Sequence, residues 1–472
     1  MPPGKWVVVK AAALLLCGAA AAQTPTAPPA RARSVDADPQ IAAAVRKVSA
    51  AQIEANIRKL AGFHNRNTLS AADPASIARG RGIGAAREWI RSEFERYSQA
   101  CGGCLEVKTD RFLQEPADRI PKPTEIVNVY AVLPGTDPEN AKRIYLVTGH
   151  YDSRNSDTLN IEDAAPGAND DASGVAVSLE CARVLSRYKF PATLIFMAVA
   201  GEEQGLNGSK HFAQWAKSEG MNIAGVLNND IVGGNKTPGD TTQDASIVRV
   251  FSEGVPAAAT EQEVRMLRAL GGENDSPSRQ LARYVREVAE RYLPPRGAGF
   301  GPKLVFRRDR YLRGGDHTAF NEQGYAAVRF TEYREDYNHQ HQTPRTEKGV
   351  EYGDLPKFVD FQYVANVARL NLATLAALAS APAPPAKVRL LTKQLENDTT
   401  LAWEASPGGL ATGYEVLSRP TTDAEWSVLN VENVGAATTA TLKRSKDNVI
   451  FAVRAVDKKG HKSLAVVPSP ER

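Results

Sequence analysis

Residues 192–205 read ATLIFMAVAGEEQG, an almost unbroken apolar run that ends in two adjacent carboxylates between glycines. An apolar run without polar alternation is typical of a strand that is buried on both faces of a parallel sheet. A glutamate pair after such a strand is most simply a surface turn. Glu202 and Glu203 therefore indicate a functional site only if other acidic or histidine residues occupy comparable positions.

Four other stretches repeat this pattern, and helical segments alternate with them. The strand-like runs are EIVNVYAVL, RIYLVTGHYD, IAGVLNNDIVGG and YAAVRFTEY. Helical periodicity is found in ASGVAVSLECARVLSRY and SPSRQLARYVREVAERYL. Apolar strands that alternate with helices predict an α/β fold with a mostly parallel mixed sheet flanked by helices. In such sheets functional residues gather beyond the carboxyl ends of the strands.

The length of 472 residues predicts more than one domain. The composition, with 42% hydrophobic and 24% charged residues, is that of a soluble globular protein. The formal net charge of +4 is small for this length, and the Lys and Arg residues are scattered along the chain. We therefore expect no nucleic-acid partner. The predicted segments are a signal peptide at 1–22, a leader at 23–48, the α/β domain at 49–380, a Pro-rich linker at 381–386 and an all-β sandwich at 387–472.

The N-terminus has the order of a secretory signal peptide. Lys5 precedes the apolar run WVVVKAAALLLCGAAAA, and the polar stretch QTPTAPPA follows it. We expect cleavage after Ala22 and an exported mature chain, secreted or periplasmic, without a membrane anchor. Bulky Leu16 argues against a lipid-modified Cys17, because such sites require a small residue before the cysteine.

Export also affects the interpretation of the cysteines. Cys101 and Cys104 in CGGC could bind a metal or carry out redox chemistry, but a second ligand pair is missing nearby. Because exported proteins meet oxidising conditions, a small loop disulfide is favoured. Cys181 falls in helical register with apolar residues, which predicts a buried thiol.

The last segment, residues 387–472, alternates apolar and polar residues with turns between them, as in a small antiparallel sandwich. Trp403, Tyr414, Val416 and the stretch FAVRAVDKKG resemble a fibronectin type III module. The resemblance implies a spacer or an adhesion module with a surface or matrix ligand.

Acidic and histidine residues follow several of the predicted strands. Each has an ordinary explanation, such as a helix N-cap for NDDASG or a turn for NND. Together they offer the mixed imidazole and carboxylate ligands that zinc takes. Two ions that share one carboxylate would use two histidines and three acids, and a further acid would accept the proton of the attacking water. The candidates are His150, Asp152, Asp170, Asp171, Glu202, Glu203, Asp230, His339 and His341.

In this order GHYDS, GANDDASG, GEEQG, NNDIVG and the late histidine motif resemble the co-catalytic zinc aminopeptidase family, which is related to glutamate carboxypeptidase. The resemblance covers roughly residues 50–378 and implies a zinc exopeptidase fold with two Zn²⁺ ions. It also implies a role for each matching position. His150 and Asp230 would bind one zinc, Glu203 and His341 the other, Asp170 would bridge both, Glu202 would be the general base, and Asp152 would orient a ligand imidazole.

The late histidine motif departs from the family pattern, which has His, three residues and then Asp-Thr. Here HQTPRT places Arg345 where the Asp is expected. The spacing still selects His341, whereas His339 remains the alternative because both side chains can face the same side of an extended segment.

The stretch RGGDHTAFNEQG resembles a second family element, usually Ser-Asp-His, with Gly315 at the Ser position. The resemblance implies that Asp316 and His317 lie near the site, and stabilisation of a loop is the alternative. The remaining histidines have no motif context and are predicted to lie on the surface: His64, His211 and His461.

These observations predict an exported zinc aminopeptidase that removes N-terminal residues from peptides. The same metals would also suit a carboxypeptidase, a dipeptidase or a glutaminyl cyclase, and Arg313 is a candidate partner for a substrate carboxylate. A non-catalytic receptor or adhesion protein on a peptidase scaffold is the alternative from another class.

Overall fold

An eight-stranded sheet lies at the centre of the computed structural model, which describes residues 37–293, 299–426 and 430–471. The predicted signal peptide lies outside these residues. The strands are β1 (Glu106–Gln114), β2 (Thr124–Leu133), β3 (Arg143–His150), β4 (Thr193–Val199), β5 (Asn222–Asn229), β6 (Ile247–Ser252), β7 (Gly301–Val305) and β8 (Ala327–Glu332).

The strand order is β1-β2-β4-β3-β5-β8-β6-β7. The central strands β4, β3, β5 and β8 are parallel neighbours, whereas β1, β2 and β4 pair antiparallel on one side and β8 pairs antiparallel with β6 on the other. The predicted mixed α/β sheet is therefore confirmed. The five strands predicted from sequence are β2, β3, β4, β5 and β8. The apolar-run criterion missed β1 because this edge strand is largely exposed and rich in polar residues.

Helices cover both faces of the sheet. Alternate residues of β4 enter two hydrophobic cores, with Phe196 and Ala198 on one face and Ile195 and Met197 on the other. Full burial of a side chain such as Phe196 stabilises the folded state by about 1.5–3 kcal/mol relative to an exposed side chain. The helices are α1 (Pro39–Val45), α2 (Ala50–Ala61), α3 (Pro74–Ala78), α4 (Gly82–Ala100), α5 (Ala172–Leu185), α6 (Asn207–Ser218), α7 (Glu261–Leu270), α8 (Pro277–Tyr292), α9 (His317–Glu322) and α10 (Phe361–Ser380).

Helix α1 corrects the predicted end of the leader at residue 48. Ile41, Ala44 and Val45 are buried in the main core, and Asp38 caps the helix through its side chain. The folded core therefore includes residues that the sequence analysis assigned to the leader.

The C-terminal segment forms two small sheets, as predicted for an all-β sandwich. They have the orders β15-β12-β11-β17 and β14-β13-β16. Trp403, Tyr414 and Val416 lie in the shared core, but the likeness to a fibronectin type III module stays a prediction. The elements after β8 are the hairpin β9 (Arg345–Glu347) and β10 (Val350–Tyr352), then β11 (Ala386–Leu391), β12 (Thr399–Glu404), β13 (Gly413–Pro420), β14 (Val431–Gly435), β15 (Thr439–Leu442), β16 (Val449–Val456) and β17 (Ser469–Glu471).

The Pro-rich segment 381–386, predicted to be a linker, is largely buried where the C-terminal sheets pack on the α/β core. Ala381 and Ala383 are buried. The described residues from 37 to 471 belong to one compact unit. Ion pairs and hydrogen bonds cross the junction at Arg454–Glu287 (2.7 Å), Arg419–Asp275 (2.6 Å) and Trp426–Gln280 (2.9 Å).

The cysteine predictions are confirmed. Cys101 and Cys104 form a disulfide just after α4. Cys181 is a free, fully buried thiol on α5.

His461 was predicted to lie on the surface, and this prediction is wrong. Its ring is buried between two carboxylates, with Nε2 2.8 Å from Asp38 Oδ2 and Nδ1 2.9 Å from Asp457 Oδ2. The histidine thus joins the start of α1 to the C-terminal module. Burial alone would lower the pKa of His461, but the neighbouring Asp457 and Asp38 raise it above its ordinary value.

A His461→Gln variant is expected to lose about 1–3 kcal/mol of unfolding free energy near pH 6, because it lacks two charge-assisted hydrogen bonds. The folded-state pKa is raised, so this stabilisation is present below the unfolded pKa of about 6.5 and is lost as pH rises through the folded value. Urea unfolding at pH 6 and pH 9 measures the difference, and Asp457→Asn should show a loss at pH 6 too. An equal loss at both pH values would contradict the ion-pair origin.

Candidate active site

The carboxyl ends of three neighbouring parallel strands position most of the candidate residues. β3 ends at His150, the turn after β4 carries Glu202 and Glu203, and Asp230 follows β5 directly. Asp170 comes from the segment that precedes α5. His150, Asp170, Glu203 and Asp230 are buried, whereas Glu202 and His341 are partly exposed.

Two glycines allow the close approach of β3 and α5 at this site. A Cβ atom on Gly149 would lie 2.3 Å from the backbone of Gly174, and one on Gly174 would lie 2.2 Å from the carbonyl oxygen of Asn229. No other residue fits at either position without backbone displacement. The glycines of the two motifs GHYDS and ASG therefore set the distance between the strand end and the helix start.

His150, Asp170 and Asp230 form the first group that could hold a metal ion. His150 Nε2 lies 3.0 Å from Asp170 Oδ1 and 3.9 Å from Asp230 Oδ1. Asp230 also forms a 2.9 Å ion pair with the buried side chain of Arg329 on β8.

Asp170, Glu203 and His341 form the second group, which shares Asp170 with the first. His341 Nε2 lies 2.8 Å from Asp170 Oδ2 and 2.9 Å from Glu203 Oε1. His341 adopts a left-handed backbone conformation with φ 53°, which is uncommon for a residue other than glycine and occurs often at functional sites.

His339, the alternative to His341, lies outside both groups. Its ring stacks on Phe358 with centroids 3.5 Å apart. Nδ1 lies 2.9 Å from the hydroxyl of Thr237, and Nε2 lies 3.2 Å from the carbonyl oxygen of Glu351. Both nitrogens therefore have partners away from the shared carboxylate Asp170.

The donor set and its charges fit zinc. Despite their short distances to Asp170 and His341, the buried atoms His150 Nε2 and Glu203 Oε1 have no hydrogen bond of good geometry among the described residues, as expected of atoms that face a metal position. Although burial opposes it, Glu203 and Asp170 raise the pKa of His341 to about 10. Burial alone would raise the pKa of Asp170, but His341 and His150 hold it well below its ordinary range. The site therefore stabilises positive charge between its carboxylates, and imidazole with carboxylate is a common zinc donor set.

Glu202 belongs to neither group among the described residues, although it neighbours Glu203. Burial raises the pKa of Glu202 well above its ordinary value, and the Asp230 and Glu203 carboxylates add to this effect.

Asp152 supports both the histidine and the glutamate turn. Its Oδ2 accepts a 3.1 Å hydrogen bond from the backbone N–H of Glu203, and its Oδ1 lies 3.4 Å from the backbone nitrogen of Glu202. The same carboxylate lies 3.6 Å from His150 Nδ1. That distance is beyond a hydrogen bond, and the ring nitrogen instead lies 3.2 Å from the backbone carbonyl oxygen of Asp152. The carboxylate of Asp152 therefore holds the glutamate turn, while its backbone carbonyl contacts the His150 imidazole.

Asp316 and His317 have different surroundings. Both carboxylate oxygens of Asp316 are buried without a hydrogen-bond partner among the described residues, and burial raises its pKa to about 7. His317 instead faces the loop before it, with Nε2 2.9 Å from the carbonyl oxygen of Arg308, and burial lowers its pKa to about 4.

Neighbouring side chains explain why position 315 is a glycine, where the motif that this stretch resembles usually has a serine. A Cβ atom on Gly315 would lie 2.9 Å from Asp230 Oδ2 and 3.0 Å from an Arg329 nitrogen. Arg329 thus occupies space beside Asp230 that a side chain at position 315 would need.

Sequence reasoning missed two residues that hold this site together, Asp354 and Arg329. Asp354 accepts hydrogen bonds from the backbone N–H groups of Asn169 (2.7 Å) and Asp170 (2.8 Å). Asp171, a candidate to which the sequence assigned no role, caps α5 and also accepts a 2.9 Å hydrogen bond from the His150 N–H. Arg329 was detectable as a charge inside an apolar strand, whereas Asp354 had no comparable signal.

Comparisons with known proteins agree with this geometry. The model of Peptidase family M28 matches residues 128–349. A probable zinc metalloprotease of Pyrenophora teres f. teres is 46% identical over 437 residues, which cover 92% of this chain and 87% of that protein. A probable zinc metalloprotease of Leptosphaeria maculans is 45% identical over 433 residues, which cover 91% of this chain and 97% of that protein. The chain belongs to peptidase family M28.

This M28 peptidase is therefore a zinc metalloprotease and a hydrolase, and not a non-catalytic receptor on a peptidase scaffold. LapB from Legionella pneumophila has a similar fold, with a TM-score of 0.51 at 18% identity over 73% of this chain and 76% of that chain. Within the described part of the M28 chain, no helix has the length and apolarity required to cross a bilayer.

Proposed function

We propose that this M28 peptidase is an exported aminopeptidase with two zinc ions that hydrolyses the N-terminal peptide bond of its substrates. The observation that carries the proposal is the pair of three-residue groups that share Asp170, with Glu202 outside both. One shared carboxylate with an imidazole and a carboxylate on each side is the donor pattern of a two-metal hydrolase.

His150 and Asp230 would hold one zinc, and Glu203 and His341 would hold the other. Asp170 would be shared by both ions, since its two oxygens each lie near a different histidine. Bound zinc at such a site polarises the scissile carbonyl and lowers the pKa of water.

Glu202 would act as the general base. Its carboxylate accepts a proton from the attacking water and then donates it to the leaving amine. Its neighbours favour this role, because burial and the adjacent carboxylates raise its affinity for a proton. Asp152 holds the backbone of Glu202 and Glu203, so the base and the neighbouring ligand keep fixed relative positions.

A peptide panel tests the direction of cleavage. We expect hydrolysis of peptides with a free N-terminal amine, no hydrolysis when that amine is acetylated, and continued hydrolysis when the C-terminal carboxylate is amidated. A zinc chelator should abolish turnover, and added zinc should restore it. Amine release and product masses report which bond is cut.

Two results would reject the proposal. Cleavage that persists on acetylated peptides but requires a free C-terminal carboxylate would assign a carboxypeptidase instead. Formation of a pyroglutamyl product from N-terminal glutamine, without peptide hydrolysis, would assign a cyclase.

A further inference from the structure

An exposed guanidinium lies at the rim of the site, on the loop that leads to it. Arg313 is two residues before Gly315, whose Cα is therefore within about 7.6 Å, because consecutive Cα atoms lie about 3.8 Å apart. Gly315 in turn borders Asp230 of the first metal group. The Arg313 side chain is 39% exposed, so solutes can reach it.

The hydrogen-bond partner of Arg313 comes from a different segment of the chain. Its Nη1 donates a 3.1 Å hydrogen bond to the hydroxyl of Tyr337, and its guanidinium lies 5.3 Å from the centre of the Tyr337 ring. Tyr337 precedes His341 of the second metal group by four residues. The Arg313–Tyr337 pair therefore joins the segments that flank the two groups.

Arg313 is an excess positive charge in its surroundings. The nearest carboxylate, Glu335, is nearly buried, and its two oxygens already contact Arg249 (2.9 Å) and Arg310 (2.5 Å). Arg313 lies 3.6 Å from Glu335, beyond a direct hydrogen bond.

The excess of positive charge is local to Glu335, where the guanidinium groups of Arg249, Arg310 and Arg313 face one carboxylate. Arg310 also contacts Asp309, whose other partner is Arg329. Arg313 has no carboxylate of its own within ion-pair distance among the described residues, because Glu335 is already paired with the other two arginines.

We propose that Arg313, with the Tyr337 hydroxyl, binds a carboxylate of the peptide substrate. This inference rests on the proposed function, because it assigns a substrate class to the same site. The carboxylate comes either from an acidic N-terminal side chain or from the C-terminus of a short peptide. Guanidinium binds carboxylates through paired, charge-assisted hydrogen bonds. Contact with the Tyr337 ring already restricts the Arg313 side chain, so binding costs it less conformational entropy.

Peptide binding to the zinc-loaded Glu202→Gln enzyme tests the inference without turnover. The first pair of probes is Asp-Ala-Ala-amide and Asn-Ala-Ala-amide, which differ in the side-chain carboxylate. The second pair is Leu-Ala and Leu-Ala-amide, which differ in the C-terminal carboxylate. We expect the acidic member of one pair to bind more tightly, and calorimetry gives the two dissociation constants.

The added substitution Arg313→Met should weaken binding of that acidic peptide by about 10- to 100-fold and change binding of its neutral partner little. Arg345→Met is the matched control, because the Arg345 side chain is also 39% exposed and lies over a tyrosine ring. Equal dissociation constants within both pairs, or equal effects of the two arginine substitutions, would overturn the inference. Absence of zinc-dependent peptide hydrolysis by the wild-type enzyme would instead reject the proposed function.

Discussion

Glu202→Gln is expected to lower kcat by about 10²- to 10⁴-fold and to leave the zinc content unchanged. The amide cannot accept a proton from water, but it has nearly the same shape as the carboxylate. Glu202 lies outside both metal groups, so its replacement removes no candidate ligand. Turnover of an N-terminal leucyl substrate and zinc analysis of the same preparation measure the two effects separately.

The adjacent Glu203→Gln variant is the matched comparison. Glu203 Oε1 lies 2.9 Å from His341 Nε2 within the second group, so this variant should lose zinc as well as activity. The roles of the two glutamates would be reversed if Glu202→Gln lost zinc and Glu203→Gln kept it. An unchanged kcat in Glu202→Gln would remove the general base from the mechanism.

The sequence predicted the central strands and the residues at their ends for a local reason. A strand that is buried on both faces must be apolar along its length, so a His or Glu at its end is conspicuous. His150, Glu203 and Asp230 each follow such a run, and parallel strands bring these ends to the same edge of the sheet. The sharing of Asp170 between two groups came only from the family resemblance, since no local pattern reports it.

The residues that the sequence did not predict make contacts with residues that are far away in the sequence. Asp354 contacts the backbone of Asp170 across 184 positions, and its own segment shows no motif. His461 contacts Asp38 across 423 positions, so its burial depends on how the C-terminal module packs. The composition of the Pro-rich segment predicted a linker. Composition carries no information about the ion pairs that join the α/β core to the C-terminal sheets.

His341→Ala is expected to lower the zinc content from two ions to one per chain and to reduce kcat by at least about 100-fold. The imidazole is the only nitrogen donor of the second group among the described residues, and alanine offers no replacement. A site that keeps only two carboxylates binds zinc more weakly and no longer fixes its position beside Glu202. Zinc analysis after dialysis, together with steady-state kinetics at saturating substrate, measures both effects.

His339→Ala separates this effect from a general loss of structure. His339 stacks on Phe358 and contacts Thr237 and the carbonyl of Glu351, so its replacement should cost about 1–3 kcal/mol of stability. The variant should nevertheless keep two zinc ions, because neither metal group contains His339. Loss of zinc from His339→Ala but not from His341→Ala would transfer the ligand role to His339. The two histidines are only two positions apart, so this pair of variants tests the ligand assignment at the point where the sequence alone left both open.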